Sequence, residues 1–153
     1  MSSEGGIPKF EFVENWPKFP EGQKLGQAVE VIVDSQDRVF IFHRGENSPL
    51  IFDKDGNYLG TWEPNDHWKD IHGVTIASDD QGEYLIVTDR DRHTVSRADL
   101  DGNPVWTVGT PDQPAGPEGY FNRPTDAGVA PNGDIYVADG YGNARVHQFT
   151  ASG

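Results

Sequence analysis

Short apolar runs recur in groups of four along this chain, and each run has the length of a strand rather than a helix. Each group opens with an aromatic run, continues through a loop rich in proline or glycine, and ends with three further runs. The pattern predicts an all-β chain with these strands: Phe10–Trp16, Val29–Val33, Val39–His43, Leu50–Phe52, Tyr58–Trp62, Gly73–Ala77, Tyr84–Thr88, Val95–Ala98, Val105–Val108, Ala127–Ala130, Ile135–Ala138 and Arg145–Phe149.

A turn of sequence Asp-x-Asp-Gly-Asn ends the first two groups. It occurs at Asp53–Asn57 and Asp99–Asn103, and a related turn follows at Ser152-Gly153. Asp-Gly readily adopts the positive φ angles that tight hairpins need. These turns divide the chain into repeats of about 9–57, 58–103 and 104–153. Four strands per repeat of this length are typical of a β-propeller blade, with a three-turn β-solenoid or an irregular sandwich as the alternative.

The order of the strands indicates that each repeat straddles two blades. The chain begins with an edge-type strand, Phe10–Trp16, and ends after the third strand of its last blade. Propellers have roughly four to eight blades, so three cannot close around an axis. We therefore expect three four-stranded blades per chain, half of a six-bladed propeller that is closed by homodimerisation with strand exchange. The rival interpretation is that the chain is half of a longer natural protein.

Composition narrows the possible functions. Lys and Arg number 12 against 25 Asp and Glu, and the net charge of −13 disfavours binding to nucleic acid or to anionic membranes. The chain has no cysteine, which excludes disulfides and thiolate catalysis. Its apolar runs are too short to cross a membrane, and the polar N-terminus lacks a signal-peptide core. We expect residues 1–8 to be disordered and the protein to be cytoplasmic.

Three segments carry a resemblance to a known family. They are Phe121–His147, Val39–Gly45 and Ile71–Val74. The first resembles an NHL-repeat blade, and together they resemble the peptidyl-α-hydroxyglycine α-amidating lyases over about residues 19–153. The resemblance covers about the first half of a family member, since those enzymes are six-bladed single chains. It implies cleavage of a peptidyl-α-hydroxyglycine to a peptide amide and glyoxylate, with an axial zinc ion held by three histidines and a structural calcium ion nearby.

Four positions match the functional residues of that family. The resemblance implies that His72 is a zinc ligand and that the backbone carbonyl of Val74 contacts calcium. It implies that Arg44 binds substrate and that Tyr141 is the general base. The second and third zinc histidines belong to the half of the family pattern that is absent here. A homodimer would not restore them, because the equivalent positions in the other blades are near Ala28 and at Thr125.

Each of these positions also has a purely structural interpretation. His72 could hydrogen-bond neighbouring backbone, Tyr141 could be an exposed turn aromatic, and Arg44 could form an ion pair within its blade.

Asp89 and Asp139 occupy equivalent repeat positions, where aspartates more often fix turns than perform chemistry. The spacing of Asp53, Asp55 and Asn57 favours a hairpin over a calcium loop, because the glycine is fourth rather than sixth. Tryptophans occur at equivalent places in the three opening strands, as Trp16, Trp62 and Trp106, and we predict that they pack between blades. Trp68 lies in a loop and has a mild claim to ligand contact.

These observations favour a self-associating half-propeller that resembles an amidating lyase but lacks most of its zinc ligands and therefore lacks efficient catalysis. One alternative is a metal-dependent lyase that is complete only in a longer chain. Another is a propeller that binds a ligand, such as a small peptide, or another protein.

Overall fold

The computed structural model describes residues 9–64, 66–116 and 119–153, in which eleven β-strands and no helix are found. The predicted disorder of residues 1–8 lies outside the described residues. The strands are β1 (Gln27–Val33), β2 (Val39–Arg44), β3 (Leu50–Phe52), β4 (Tyr58–Thr61), β5 (Ile71–Asp79), β6 (Gly82–Asp89), β7 (Thr94–Ala98), β8 (Pro104–Val108), β9 (Asp126–Val129), β10 (Ile135–Asp139) and β11 (Arg145–Phe149). The all-β prediction is therefore confirmed. The described part of the chain contains no helix of the length and apolarity needed to cross a membrane.

The strands form three antiparallel sheets in which each strand pairs with its neighbours in the sequence. The first sheet contains β1–β4, the second contains β5–β8 and the third contains β9–β11. The first strands of the three sheets lie side by side, because β1 contacts β5 and β5 contacts β9. The sheets thus stack face to face around their first strands, as the repeat pattern predicts.

The segment Phe10–Trp16, predicted as a spare strand that completes a blade of a second copy, is not paired in the single chain. These residues form no strand, and the side chains of Phe10, Phe12 and Val13 are exposed. A strand needs a hydrogen-bonding neighbour, and within the described part of one chain no strand pairs with this segment. The third sheet accordingly has three strands rather than four, and β11 forms its edge.

Apolar residues fill the spaces between successive sheets. Phe40 and Phe42 of β2 pack with Leu85 and Val87 of β6 in the core between the first and second sheets. A second core, with Ile86 of β6, lies between the second and third sheets. Alternate residues of β6 therefore face opposite cores, so the second sheet is covered on both faces. This explains why residues 84–87 of β6 form a continuous apolar run.

A tryptophan packs on the outer turn of each sheet, at the glycine of the Asp-Gly or Ser-Gly pair. The indole of Trp16 lies against Gly56 and that of Trp62 lies against Gly102, where an added Cβ would overlap the ring. The indole N–H of Trp62 donates to the carbonyl of Leu100 at 3.0 Å. Trp106 takes the same place against Gly153. The predicted packing between blades is therefore confirmed for Trp62 and Trp106, whereas Trp16 packs on the first sheet alone.

The Asp-x-Asp-Gly-Asn turns are closed by their first aspartate. One oxygen of Asp53 accepts the N–H groups of Asp55 and Asn57 at 2.9 and 2.8 Å. Asp99 accepts the corresponding N–H groups of its own turn at 3.0 and 2.8 Å. The carboxylates serve their own hairpins, which agrees with the hairpin interpretation of this spacing.

Candidate functional site

Two arginines from neighbouring sheets share one carboxylate at the same end of the molecule. Arg44 ends β2, Arg90 follows β6, and Asp70 immediately precedes β5. The Nε of Arg44 lies 3.1 Å from one Asp70 oxygen, and Nη2 of Arg90 lies 2.5 Å from the other. The Asp70 side chain is only 11% exposed, so the shared carboxylate is shielded from water. The structural interpretation expected an ion pair of Arg44 within its own blade, whereas the ion pair found here joins the first sheet to the second.

A histidine–tyrosine pair lies beside these arginines. The Nδ1 of His72 is 2.9 Å from the carbonyl oxygen of Thr125, and its Nε2 is 3.4 Å from the hydroxyl of Tyr141. A carbonyl oxygen only accepts hydrogen bonds, so Nδ1 carries the hydrogen and Nε2 accepts the hydrogen bond of the Tyr141 hydroxyl. The guanidinium carbon of Arg90 lies 6.0 Å from the centre of the Tyr141 ring, within the range of a cation–π contact.

The local fold places these side chains together. Arg44, Arg90 and Tyr141 all come at or just after the end of the second strand of their sheet. His72 lies at a β-bulge, where the register between β5 and β6 shifts between Ile71 and Gly73. Bulges redirect side chains at strand ends, which explains how His72 points across to the third sheet.

The structure brings together three of the four residues that the sequence singled out. Arg44, His72 and Tyr141 belong to one contiguous group, joined by Asp70 and Arg90. Tyr141 is 61% exposed and lies in a turn, as its structural interpretation expected. Val74 is separate from the group, since its side chain is buried between the first and second sheets. Only its backbone carbonyl is suited to a cation.

The described residues supply one histidine suited to a metal ion. With Nδ1 of His72 donating to a backbone carbonyl, Nε2 is oriented as it is in metal-bound histidines. No group of three or more His, Cys, Asp or Glu side chains placed to hold a metal ion occurs among residues 9–64, 66–116 and 119–153. His72 therefore fits part of a metal site, and these residues do not provide the remaining ligands.

Two buried aspartates near the site have structural roles, as predicted. Asp89 accepts the N–H groups of Lys69, Asp70 and Arg92 at 2.6, 3.1 and 3.0 Å, which fixes the segment that carries Asp70. Burial raises the pKa of Asp89, and these backbone hydrogen bonds oppose the rise. Asp139 accepts the N–H of Asn122 at 2.9 Å in the third sheet.

Sequence reasoning missed Asp70 and Arg90. Arg90 could have been found, because His43-Arg44 and Asp89-Arg90 are equivalent in the repeat. Asp70 has no such signal. Its role depends on a contact with Arg44 that is 26 residues away in the sequence and lies in another sheet.

Comparison with known proteins agrees with the repeat pattern. The NHL repeat family model matches residues 121–149. Peptidyl-α-hydroxyglycine α-amidating lyase 2 of Drosophila melanogaster is 30% identical over 96% of this chain and 41% of its own length. Human NHL repeat-containing protein 3 is 35% identical over 83% of this chain and 38% of its own length. The chain thus spans less than half of the length of these relatives.

A solved structure resembles the fold. Virginiamycin B lyase from Staphylococcus aureus superposes with a TM-score of 0.53 at 17% identity, over 84% of this chain and 42% of that chain. At this identity the likeness concerns the fold alone, and the fold is that of a β-propeller.

Proposed function

We propose, on the premise that this chain is an NHL-repeat β-propeller protein homologous to part of the peptidyl-α-hydroxyglycine α-amidating lyases, that it forms the ligand-binding part of such a lyase centre. The observation that carries the proposal is the contiguous group Arg44, Asp70, Arg90, His72 and Tyr141, to which all three sheets contribute. The guanidinium groups of Arg44 and Arg90 can bind a carboxylate, and the phenol oxygen of Tyr141 can hydrogen-bond a hydroxyl group. A peptidyl-α-hydroxyglycine carries both.

In this proposal each residue has a defined role. Arg44 and Arg90 bind the ligand carboxylate, and Asp70 keeps the two guanidinium groups side by side. Tyr141 takes the proton of the α-hydroxyl group as the C–N bond breaks and the aldehyde of glyoxylate forms. The proton that is lost from the hydroxyl ends on the amide nitrogen, so the reaction balances without a further reactant. A zinc ion at Nε2 of His72 would supply positive charge near the developing alkoxide, and the carbonyl of Val74 would contribute to a structural calcium site.

We further propose that the chain alone binds the ligand but lacks efficient catalysis, because one histidine cannot form the three-ligand zinc site that the resemblance implies. The test is glyoxylate release from N-benzoyl-α-hydroxyglycine by the zinc-loaded chain, compared with a Tyr141→Phe variant. We expect equal release from both proteins. Release from the wild type well above the variant would contradict this part of the proposal.

Binding of a carboxylate provides the direct test of the site. N-benzoylglycine carries the carboxylate without the labile hydroxyl, and its affinity can be measured by calorimetry. We expect Arg44→Lys to weaken binding roughly tenfold, because lysine lacks the planar two-donor fork. Arg97→Lys is the matched control, since Arg97 pairs with Asp79 outside this group. Equal affinities for the wild type and Arg44→Lys would overturn the proposed function.

Self-association is a second proposal, carried by a different observation. The edge strand β11 ends a three-stranded sheet, while Phe10 and Phe12 are 91% and 89% exposed in a segment that forms no strand. An unpaired sheet edge readily accepts an extended segment of another chain. We propose a homodimer in which residues 10–16 of each chain pair with β11 of the other.

Light scattering over a dilution series tests the homodimer. We expect a mass of two chains, and Phe12→Asp should shift the equilibrium toward the monomer. The control is Val105→Asp, which changes an exposed apolar residue of β8 instead. A wild-type monomer at all concentrations would contradict the exchange of strands. A dimer that binds no α-hydroxyglycine analogue would instead favour a propeller that binds other proteins.

A further inference from the structure

Thr88 carries a buried hydroxyl group at a position that is apolar in the other two sheets. It lies one residue before the end of β6, and the residues that correspond to it in the repeat are Phe42 of β2 and Ala138 of β10. Thr88 is fully buried. A hydroxyl group in the interior costs free energy unless its hydrogen bonds are made. Thr88 therefore needs partners inside the protein, and these partners indicate its role.

The hydroxyl group of Thr88 lies where the second sheet meets the third. Its oxygen accepts the N–H of Gly73 at 2.9 Å, and its hydrogen is within reach of the carbonyl oxygens of Gly73 and Thr125, at 3.0 and 3.1 Å. The carbonyl oxygen of Thr125 also accepts Nδ1–H of His72, at 2.9 Å. A carbonyl oxygen has two lone pairs and can accept both hydrogen bonds. Thr88 and His72 thus meet at one backbone oxygen of the segment that leads into β9.

This contact between the sheets depends on a glycine at position 73. A Cβ atom on Gly73 would lie 2.6 Å from the carbonyl oxygen of Thr125 and 2.9 Å from Cα of Asp126, which is closer than Cβ atoms approach such neighbours in proteins. The register between β5 and β6 also shifts just before Gly73. The N–H of Thr125 donates to the carbonyl of Ala138 at 2.8 Å, which ties this segment to β10. The backbone of the third sheet is therefore held close to His72.

We propose that Thr88 is a positioning residue for His72. Its oxygen holds the Gly73 N–H at the bulge that carries the histidine, and its hydrogen bond supports the carbonyl that accepts Nδ1–H of the imidazole. The ring is thereby kept as the tautomer with hydrogen on Nδ1, and its Nε2 accepts from Tyr141. A backbone carbonyl that accepts one ring N–H is what fixes the tautomer of metal-binding histidines. The value of this tautomer rests on the proposed function, in which Nε2 of His72 serves a metal ion beside Tyr141.

The tautomer of His72 can be measured directly by nitrogen NMR. A long-range 1H–15N correlation of the full chain at pH 8.5, above the ordinary pKa of imidazole, shows which ring nitrogen carries the hydrogen. Comparison with a His72→Gln variant assigns the signals. We expect hydrogen on Nδ1 in most molecules of the wild type. A wild type with hydrogen mainly on Nε2 overturns the proposal, whatever the variants show.

Threonine variants separate positioning from packing. Thr88→Val keeps the shape and removes the hydroxyl group, so we expect the ratio of Nδ1–H to Nε2–H tautomers to fall roughly fivefold. Thr88→Ser retains the hydroxyl group and should keep the wild-type ratio. If Thr88→Val does not fold, Thr88→Ala is compared with Thr88→Ser, since these two differ only in the hydroxyl group. Thermal unfolding of each variant shows whether it is folded.

Thr75→Val is the matched control. The hydroxyl group of Thr75 also donates to a backbone carbonyl of the third sheet, that of Ala127, but Thr75 lies three residues beyond His72 in β5. We expect Thr75→Val to lower the midpoint of thermal unfolding without changing the tautomer ratio. An equal fall of the ratio in Thr75→Val and Thr88→Val, or an unchanged ratio in Thr88→Val, overturns the proposal.

Failure of this proposal and failure of the proposed function are distinguishable, because the tautomer is measured without ligand or metal. A fall of the ratio in Thr88→Val supports the role of Thr88 even if the wild type and Arg44→Lys bind N-benzoylglycine equally, a result that overturns the proposed function. An unchanged ratio in Thr88→Val together with weakened binding by Arg44→Lys overturns the role of Thr88 and leaves the proposed function standing.

Discussion

The first and second sheets share their strand order and their outer turn, but they differ at the end of the central strand. The second sheet ends β6 with Asp89, whose oxygens are engaged by three backbone N–H groups. The first sheet ends β2 near His43, which accepts one N–H and keeps a buried donor unpaired. Burial raises the pKa of Asp89 and lowers that of His43, because it disfavours the charged form of each. The same position therefore accepts three backbone N–H groups in the second sheet and one in the first.

The sharpest test of this difference is removal of each side chain. Asp89→Ala leaves three backbone donors without their acceptor at a side chain that is fully buried, so we expect the free energy of unfolding to fall by about 3–6 kcal/mol. His43→Ala removes the acceptor of one donor and should cost about 1–3 kcal/mol. Urea denaturation measures both. A loss for His43→Ala as large as that for Asp89→Ala would contradict the contrast between the two sheets.

The outer turns of the first and second sheets should differ less in the stability that is lost when their glycine is replaced. Gly102 has φ of +85° and Gly56 has φ of +80°, so alanine is strained at either position. Trp62 is 5% exposed and held in the core, whereas Trp16 is half-buried and can move away from an added methyl group. We expect Gly102→Ala to cost about 2–4 kcal/mol and Gly56→Ala about 1–2 kcal/mol, measured by denaturation. A larger loss at Gly56 would show that Trp16 is the more rigid partner.

The smallest expected effect is a dependence of stability on pH. Burial lowers the pKa of His43 and of His93, so the native state favours their neutral forms. The stability that this contributes is present above the unfolded-state pKa and is lost as the pH falls through the lower folded-state values. We expect a lower midpoint of thermal unfolding at pH 5.5 than at pH 7.5, with a smaller decrease in His43→Gln. The same decrease in both proteins would contradict the role of His43.

Most of the fold could be predicted from the repeat, because alternating apolar residues and Asp-Gly turns determine the local structure of strands and hairpins. The predicted strand Leu50–Phe52 agrees with β3 at both ends, and Arg145–Phe149 agrees with β11. The segment Phe10–Trp16 has the same apolar character and forms no strand, since pairing also requires an available neighbour.

The candidate site was less predictable, because it is assembled from contacts between sheets. Arg44, His72 and Tyr141 came from a resemblance, and the structure brings them together. The role of Asp70 follows only from the distance that joins it to two arginines. Metal binding by His72 and Val74 remains a prediction.

Two of the tryptophans that rest on turn glycines, Trp62 and Trp106, connect their own sheet to the next one along the chain. Trp62 leaves the first sheet and packs on the outer turn of the second, and Trp106 leaves the second and packs near Gly153 after the third. Stability in such an array spreads between nearest neighbours, as in a one-dimensional chain of coupled units. The middle sheet has two such neighbours and each outer sheet has one. Amide hydrogen exchange should therefore be slowest in β6 and β7, and local opening should begin at the two ends of the array.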